Sequence, residues 1–359
     1  MKRIDKIFFI TIIIACIFGM IMIYSASSIW AEYKFNDSFK FVRHQLLFFI
    51  VGFILFIYIS KIDIKKIFNY APKLLMVSII LLILVLIPGI GTVRNGSRSW
   101  FGVGSFGIQP SEAVKLILII FTARYLENNE KNIGSIRTII SILFITFLIF
   151  GLIMLQPDFG TGVIIVISII GMLFVAGCNL KFFLYLGGFG LLGVIGLVIA
   201  APYRLKRIIS FINPWTDPLG SGFQIIQSLY AIGPSGLFGY GFLNSRQKHF
   251  YLPEPQTDFI FSIIAEEFGF MGIVIVASIF LIIIYKGFKI AKNSNNLFSK
   301  YLAFGITFEL AFQSLLNLMV VVGLIPVTGV TLPFFSYGGS SLLITLCSMG
   351  ILLNISKNV

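Results

Sequence analysis

Asp258 stands in the run PEPQTDFIF (253–261), where a long polar connection gives way to an apolar helix. A carboxylate at that point has two readings. With Thr257 as the cap, it falls in the first turn of the helix, where the helix dipole favours negative charge. It can also act on a substrate, because Arg43, Arg98, Arg207, Arg246 and Lys248 fall in connections on the same side of the predicted spans. One acid facing several cations suits a phosphorylated substrate: the acid takes a proton from a hydroxyl and the cations hold the phosphates. Glu266 and Glu267 follow two turns on, and at least one is expected to face the bundle interior, since lipid would reject both.

Other ionisable groups lie within apolar runs, where each costs at least about 2.5–3.5 kcal/mol and so marks a pair, a cavity or a pathway. Glu112 and Lys115 are three apart on one helix face, behind Pro110 at the helix start. They form either a self-neutralising pair or a polar cavity in which Lys115 meets an anion. Asp158, in QPDFGTG (156–162), caps the following helix or serves the site. Glu309 has Gln313 one turn later, and structural pairing and function both fit.

Several chemistries are excluded. His44 and His249 are the only histidines, and Cys16, Cys178 and Cys347 all lie in apolar runs, so a thiolate or imidazole metal site has no basis. GxGxxG occurs at Gly102, Gly104, Gly107 and at Gly188, Gly190, Gly193, but neither follows a strand of a βαβ unit. There is no GxxxxGK[ST], no zincin motif and no GxSxG.

The elements that must position these groups are membrane helices. The chain has 359 residues, of which 58% are hydrophobic and 11% charged, with a mean hydropathy of +1.00. Polar residues this scarce cannot cover a soluble body. Apolar runs predict ten spans, near 7–29, 44–60, 72–90, 110–126, 138–156, 160–177, 182–203, 258–286, 300–322 and 338–356. The first follows Lys2, Arg3 and Lys6 but is too long for a signal peptide and lacks a cleavage pattern, so it reads as a retained helix. The expected fold is an all-α polytopic membrane protein, one domain over 1–359, with a bundle of about ten transmembrane helices. A long extracellular loop, 204–257, joins spans seven and eight. Within it, Ile225, Ile226, Leu229 and Ile232 repeat at helical spacing and predict a short interfacial helix over 223–233. With both termini cytoplasmic, 16 of the 27 Lys and Arg residues fall inside and 10 outside, as the positive-inside rule requires. The formal charge of +13 is thus first a topology signal and not a sign of nucleic-acid binding.

RSWFGVGSFGIQPSEAVK (98–115), QPDFGTG (156–162), NPWTDPLGSGFQIIQSL (213–229), SRQKHFYLPEPQTDFIFSIIAEEFGF (245–270) and GLIPVTGVTLPFFSYGGSS (323–341) together resemble the motifs of the SEDS family, the FtsW, RodA and SpoVE proteins of bacterial cell-wall synthesis. The resemblance runs from about Tyr24 to Ser341. NPWTDPLGSGFQ and SRQKHFYLPEPQ look closer to FtsW and SpoVE, while GYGFLNS (239–245) has the flavour of RodA. It implies a peptidoglycan glycosyltransferase of the cell membrane that polymerises lipid II at the outer face, working with a class B penicillin-binding protein. The family's catalytic aspartate falls on Asp258, and its polar cavity residues fall on Arg43, Trp100, Glu112, Lys115, Arg207 and Gln227. Gln256 departs from the pattern, since many members carry histidine there, so an imidazole base two residues before Asp258 is excluded. No organic cofactor is implied; Mg²⁺ or Mn²⁺ could join Arg98, Arg246, Lys248 and the other cations at a leaving pyrophosphate. A lipid II flippase, or a scaffold for the transpeptidase, are the alternatives.

Overall fold

The structure is a computed structural model and describes residues 5–94, 96–102, 107–199 and 202–357. In hydrocarbon every backbone polar group must be satisfied within the protein, which leaves helices as the solution for chains this apolar. The order is α1 Lys6–Phe35, α2 Lys40–Ile59, α3 Ile64–Leu86, β1 Thr92–Arg94, β2 Ser97–Trp100, α4 Pro110–Asn128, α5 Ile136–Met154, α6 Phe159–Val175, α7 Leu180–Ile199, α8 Pro202–Ile212, α9 Phe223–Ile232, α10 Ile260–Asn293, α11 Leu297–Val321 and α12 Gly339–Ser356. Each of the ten predicted spans has its helix. α1, α2, α3, α5, α10, α11 and α12 are long and apolar enough to cross a membrane, and α6 and α7 hold shorter apolar stretches. α4 falls short on composition because it carries Glu112, Lys115, Arg124 and Glu127.

α11 packs against α10, α4 and α6, while α12 packs on α2 and α1 on α10 and α2. At one end of the bundle Asp5 caps α1 and takes the Lys286 ammonium of α10 at 2.9 Å. At that same end Asn354 of α12 and Lys357, just past it, donate to the carbonyls of Ile59, Ile62 and Ser60 at the end of α2 and just beyond it. Both chain ends therefore share one end of the bundle, and Asp258 lies towards the other.

Three details differ from the sequence reading. α3 begins at Ile64, not at Pro72. Proline cannot bond the carbonyl four residues back, and here Arg124 of α4 donates to that carbonyl, Phe68 O, at 3.0 Å and to Asn69 O at 3.2 Å. The helix thus continues through its proline. The loop over 204–257 contains the predicted helix as α9, but its first residues belong to α8, whose Leu205, Ile208, Ile209 and Ile212 alternate with basic residues as in an interfacial helix. Finally, the helical bundle carries an antiparallel hairpin among the described residues, β1 with β2, pairing Val93 with Arg98 and Arg94 with Ser97.

α10 is broken inside by Gly269, at φ 61° and ψ −153°, a region open essentially to glycine alone. The break removes two helical hydrogen bonds and frees four groups. All four are satisfied by the segment 236–241. Tyr240 and Gly241 donate to Glu266 O and Glu267 O at 3.0 and 2.9 Å, and Phe270 and Met271 donate to Gly236 O and Leu237 O at 2.9 and 3.1 Å. Part of the long connection is thus stitched into the helix that follows it.

Candidate active site

Asp258 lies in the turn before α10, whose cap position is Phe259. It is half-buried. The Thr257 hydroxyl turns back to Glu254 O at 2.7 Å, so Thr257 is not the cap the sequence suggested, and Asp258 stands just before the helix rather than in its first turn. Pro253, Pro255 and the positive φ of Glu254 end the connection in turns and delay the helix.

The acid's backbone is tightly held. Tyr337 N–H donates to Gln256 O at 2.7 Å. The Ser336 hydroxyl donates to Thr257 O at 2.6 Å and accepts Leu332 N–H at 2.8 Å. The Asn317 amide donates to Asp258 O at 2.8 Å. Three successive carbonyls are thus fixed by α11 and by the segment that joins it to α12. On α2, Gln45 joins this segment through Ser336 O and Gly338 N–H. The Asp258 carboxylate itself lies beside Gly329, where a Cβ would stand 3.7 Å from Oδ2. Gly329 has φ 75°, so its lack of a side chain serves the turn beside the acid.

Deeper in the bundle, the Lys115 ammonium meets Glu112 Oε2 at 3.2 Å, Glu309 Oε1 at 3.3 Å and Gln313 Oε1 at 2.7 Å. Its three donors face three acceptors, so it meets an anion only by giving one of them up. The pocket around these groups is completed by Thr345, Ser348 and apolar side chains of α11 and α12. Glu309, Gln313 and Asn317, each four residues apart, form one polar stripe on α11. Gln313 also donates to Thr331 O at 3.0 Å, so the stripe runs from the buried charges to the turn that bears Asp258. Asp158 caps α6 through Thr161 N–H and accepts Gln109 Nε2 at 3.0 Å; its cap reading is realised.

The cations divide. Lys248 is buried, 3.0 Å from Glu267 and 3.3 Å from the Ser25 hydroxyl. Glu266 is buried too and takes the Ser245 hydroxyl and the N–H groups of Arg246 and Gln247. Both glutamates face inward and hold the connection down, and Lys248 belongs to that anchor. Arg43 is exposed and ion-paired with Asp37. Arg246 is exposed with its guanidinium 4.9 Å from the Tyr240 ring. Arg98, on β2, is half-buried and donates to Leu86 O at 3.4 Å. Trp100, also on β2, carries the Arg94 guanidinium 4.8 Å over its ring. Gln227 is half-buried on α9, which is pinned by Ser228 to Val321 O and Ser262. Arg207 belongs to α8, with its side chain outside the described residues.

Sequence reasoning left out Arg94, Asn317 and Ser336. Burial pushes the Tyr337 phenol up while Arg94 pulls it down, which puts Arg94 beside the segment that holds Asp258. For Asn317 the available sign was its place four residues after Gln313. Among the described residues, no three His, Cys, Asp or Glu side chains converge to hold a metal ion. The chain there offers no cage of its own for Mg²⁺ or Mn²⁺.

A family model described as "Cell cycle protein", covering FtsW, RodA and SpoVE, matches residues 5–359. The chain belongs to this family. Among family members, it is 52% identical to stage V sporulation protein E of Bacillus subtilis over 354 residues, covering 98% of this chain and 97% of that protein. It is 42% identical to a probable peptidoglycan glycosyltransferase FtsW of Trichlorobacter lovleyi, covering 99% and 93%. The fold matches a chain from a structure described as "structural coordination of polymerization and crosslinking by a peptidoglycan synthase complex", with TM-score 0.82, 29% identity, and 99% and 98% of the two chains covered. It also matches the rod shape determining protein RodA of Thermus thermophilus, with TM-score 0.73, 27% identity, and 99% and 97% covered. The FtsW/RodA/SpoVE family is thus the setting in which Asp258 and its clamp are to be read.

Proposed function

We propose that the chain is a peptidoglycan glycosyltransferase in which Asp258 is the general base. The observation that carries this is the acid itself: a half-buried carboxylate at the end of the bundle away from the chain termini, on a backbone held at three consecutive carbonyls. A base works only when fixed within hydrogen-bond reach of the proton it takes.

The substrate is lipid II. The donor is a glycan carried on undecaprenyl pyrophosphate, and the acceptor is the 4-hydroxyl of the lipid II N-acetylglucosamine. Asp258 accepts the hydroxyl proton as the oxygen forms its bond to the anomeric carbon. The bond from that carbon to the pyrophosphate breaks with its electron pair, and the α-linked donor becomes a β-1,4 glycoside. Asp258 then returns its proton to water. The leaving pyrophosphate gains charge, which arginines read onto the same side of the membrane, Arg43, Arg98, Arg207 and Arg246, would stabilise. The lipid tails remain in the bilayer, against the apolar outer surface of the helices. The distribution of Lys and Arg supports cytoplasmic termini and an extracellular Asp258. The crosslinking partner is a class B penicillin-binding protein.

The test is extension of lipid II by the purified chain with that partner, in detergent, where no leaflet remains to cross. Long glycan strands are expected. A complex that binds lipid II yet makes no polymer would instead support translocation or a scaffold role.

A further inference from the structure

We propose that Asn317 is the positioning residue for the base; this rests on the reading of Asp258 above. Asn317 lies on α11 and is 1% exposed. Its one amide nitrogen donates to two backbone carbonyls of different segments, Asp258 O at 2.8 Å and Val330 O at 2.7 Å. Because both partners are acceptors, the orientation of the amide is fixed by chemistry. Val330 follows Gly329, where a Cβ would stand 3.7 Å from Asp258 Oδ2. A single side chain thus locks the residue that bears the acid to the turn that shapes its surroundings.

No other residue type of this size performs the task. Serine offers one donor, aspartate none when ionised, and leucine of similar volume leaves both carbonyls unpartnered. The arrangement also leaves Asn317 Oδ1 buried without a partner. The side chain is therefore held for its two donors and not as part of a fully satisfied polar network. The neighbouring clamps at Gln256 and Thr257 act two and one residues earlier. Of these three carbonyl clamps, Asn317 is the one that acts on Asp258 itself. Freed of it, the peptide after Asp258 can turn, and a carboxylate displaced by about 1 Å loses on the order of a hundredfold in rate.

The experiment uses the full chain with its transpeptidase partner and lipid II in detergent, comparing wild type with Asn317→Ala, Asn317→Ser and Asn317→Asp. Asn317→Ala is expected to lower the rate at saturating lipid II by about a hundredfold with KM changed by less than about twofold. Asn317→Ser, keeping one donor, falls between Ala and wild type. Asn317→Asp adds a carboxylate close to Asp258, so the acid limb of its pH–rate profile moves to higher pH, whereas Asn317→Ser lowers the plateau and leaves the limb in place. A wild-type rate in any folded variant, a rise in KM with an unchanged saturating rate, or an unmoved limb in Asn317→Asp overturns the proposal. The Ser and Asp variants decide the matter should Ala not fold. Asp258→Asn is run alongside. If it polymerises normally, the base reading fails; if it is inactive while the Asn317 variants turn over normally, only the positioning role fails.

Discussion

Lys248→Met removes the cation of a fully enclosed ion pair. At 3.0 Å, with both side chains at most 2% exposed, the attraction is roughly 5 kcal/mol for an effective dielectric constant of about 20. Breaking one side of a buried pair leaves the other charge uncompensated and costs about 3–5 kcal/mol. Glu267 Oε1 keeps the Ser25 hydroxyl at 2.5 Å and the Ser245 N–H at 3.4 Å, which favours the lower end. A loss of about 3 kcal/mol reduces the folded-to-unfolded ratio by about a hundredfold. Denaturant titration of the detergent-solubilised protein, followed by tryptophan fluorescence and circular dichroism, reads this as a lower midpoint. The double variant Lys248→Met/Glu267→Gln removes both charges and is expected to recover most of the loss. If Lys248→Met is as stable as wild type, or the double variant no better than the single, Lys248 is not an anchor, and its place among the substrate-facing cations returns.

Three further outcomes follow from the geometry. Gly269→Ala forces a side chain onto a backbone at φ 61° and against the backbone of Leu237 and Gly239; a loss of about 1–3 kcal/mol from the backbone conformation alone, with increased protease cleavage in 236–241, is expected, and unchanged stability contradicts the stitched break. Arg124→Met strands Phe68 O and should cost about 1–3 kcal/mol, while Pro72→Ala/Arg124→Met restores an N–H for that carbonyl and should regain part of it in the same denaturant titration. Burial alone would push the Asp5 carboxyl up, but the Lys286 ammonium and the Phe8 N–H outweigh it and hold the group below its ordinary value. The Asp5 contribution is therefore present at neutral pH and fades as pH falls through the carboxylate range, so the stability difference between wild type and Asp5→Asn should shrink on acidification below about pH 4.

The helices were legible because hydrocarbon demands long apolar runs, and the short helix over 223–232 because Ile225, Ile226, Leu229 and Ile232 share a face. The start of α3 was not, since Pro72 reads as a boundary unless Arg124, 52 residues away in sequence, is known to reach its orphaned carbonyl. The hairpin had a sign in Asn95-Gly96, a turn-forming pair, though so short a ribbon is easily passed over between spans. At the site, Asp258 stood out by type and place, whereas its holders did not. Asn317 and Ser336 act from 59 and 79 residues away, and their roles depend on backbone carbonyls, which every residue has and no sequence pattern marks. Lys248 misled for the same reason. Counting charges in a connection placed it with the arginines, while folding turned it inward to Glu267.

The central claim is that the Asp258 carboxylate takes the acceptor proton. Its most direct test is the rate of lipid II polymerisation by purified wild-type and Asp258→Asn protein, each with the partner transpeptidase. Asn keeps the shape and removes the proton acceptor, so the variant should fold, bind its partner and lose at least about a hundredfold in rate. Glycan strands formed by Asp258→Asn at close to the wild-type rate would contradict the account.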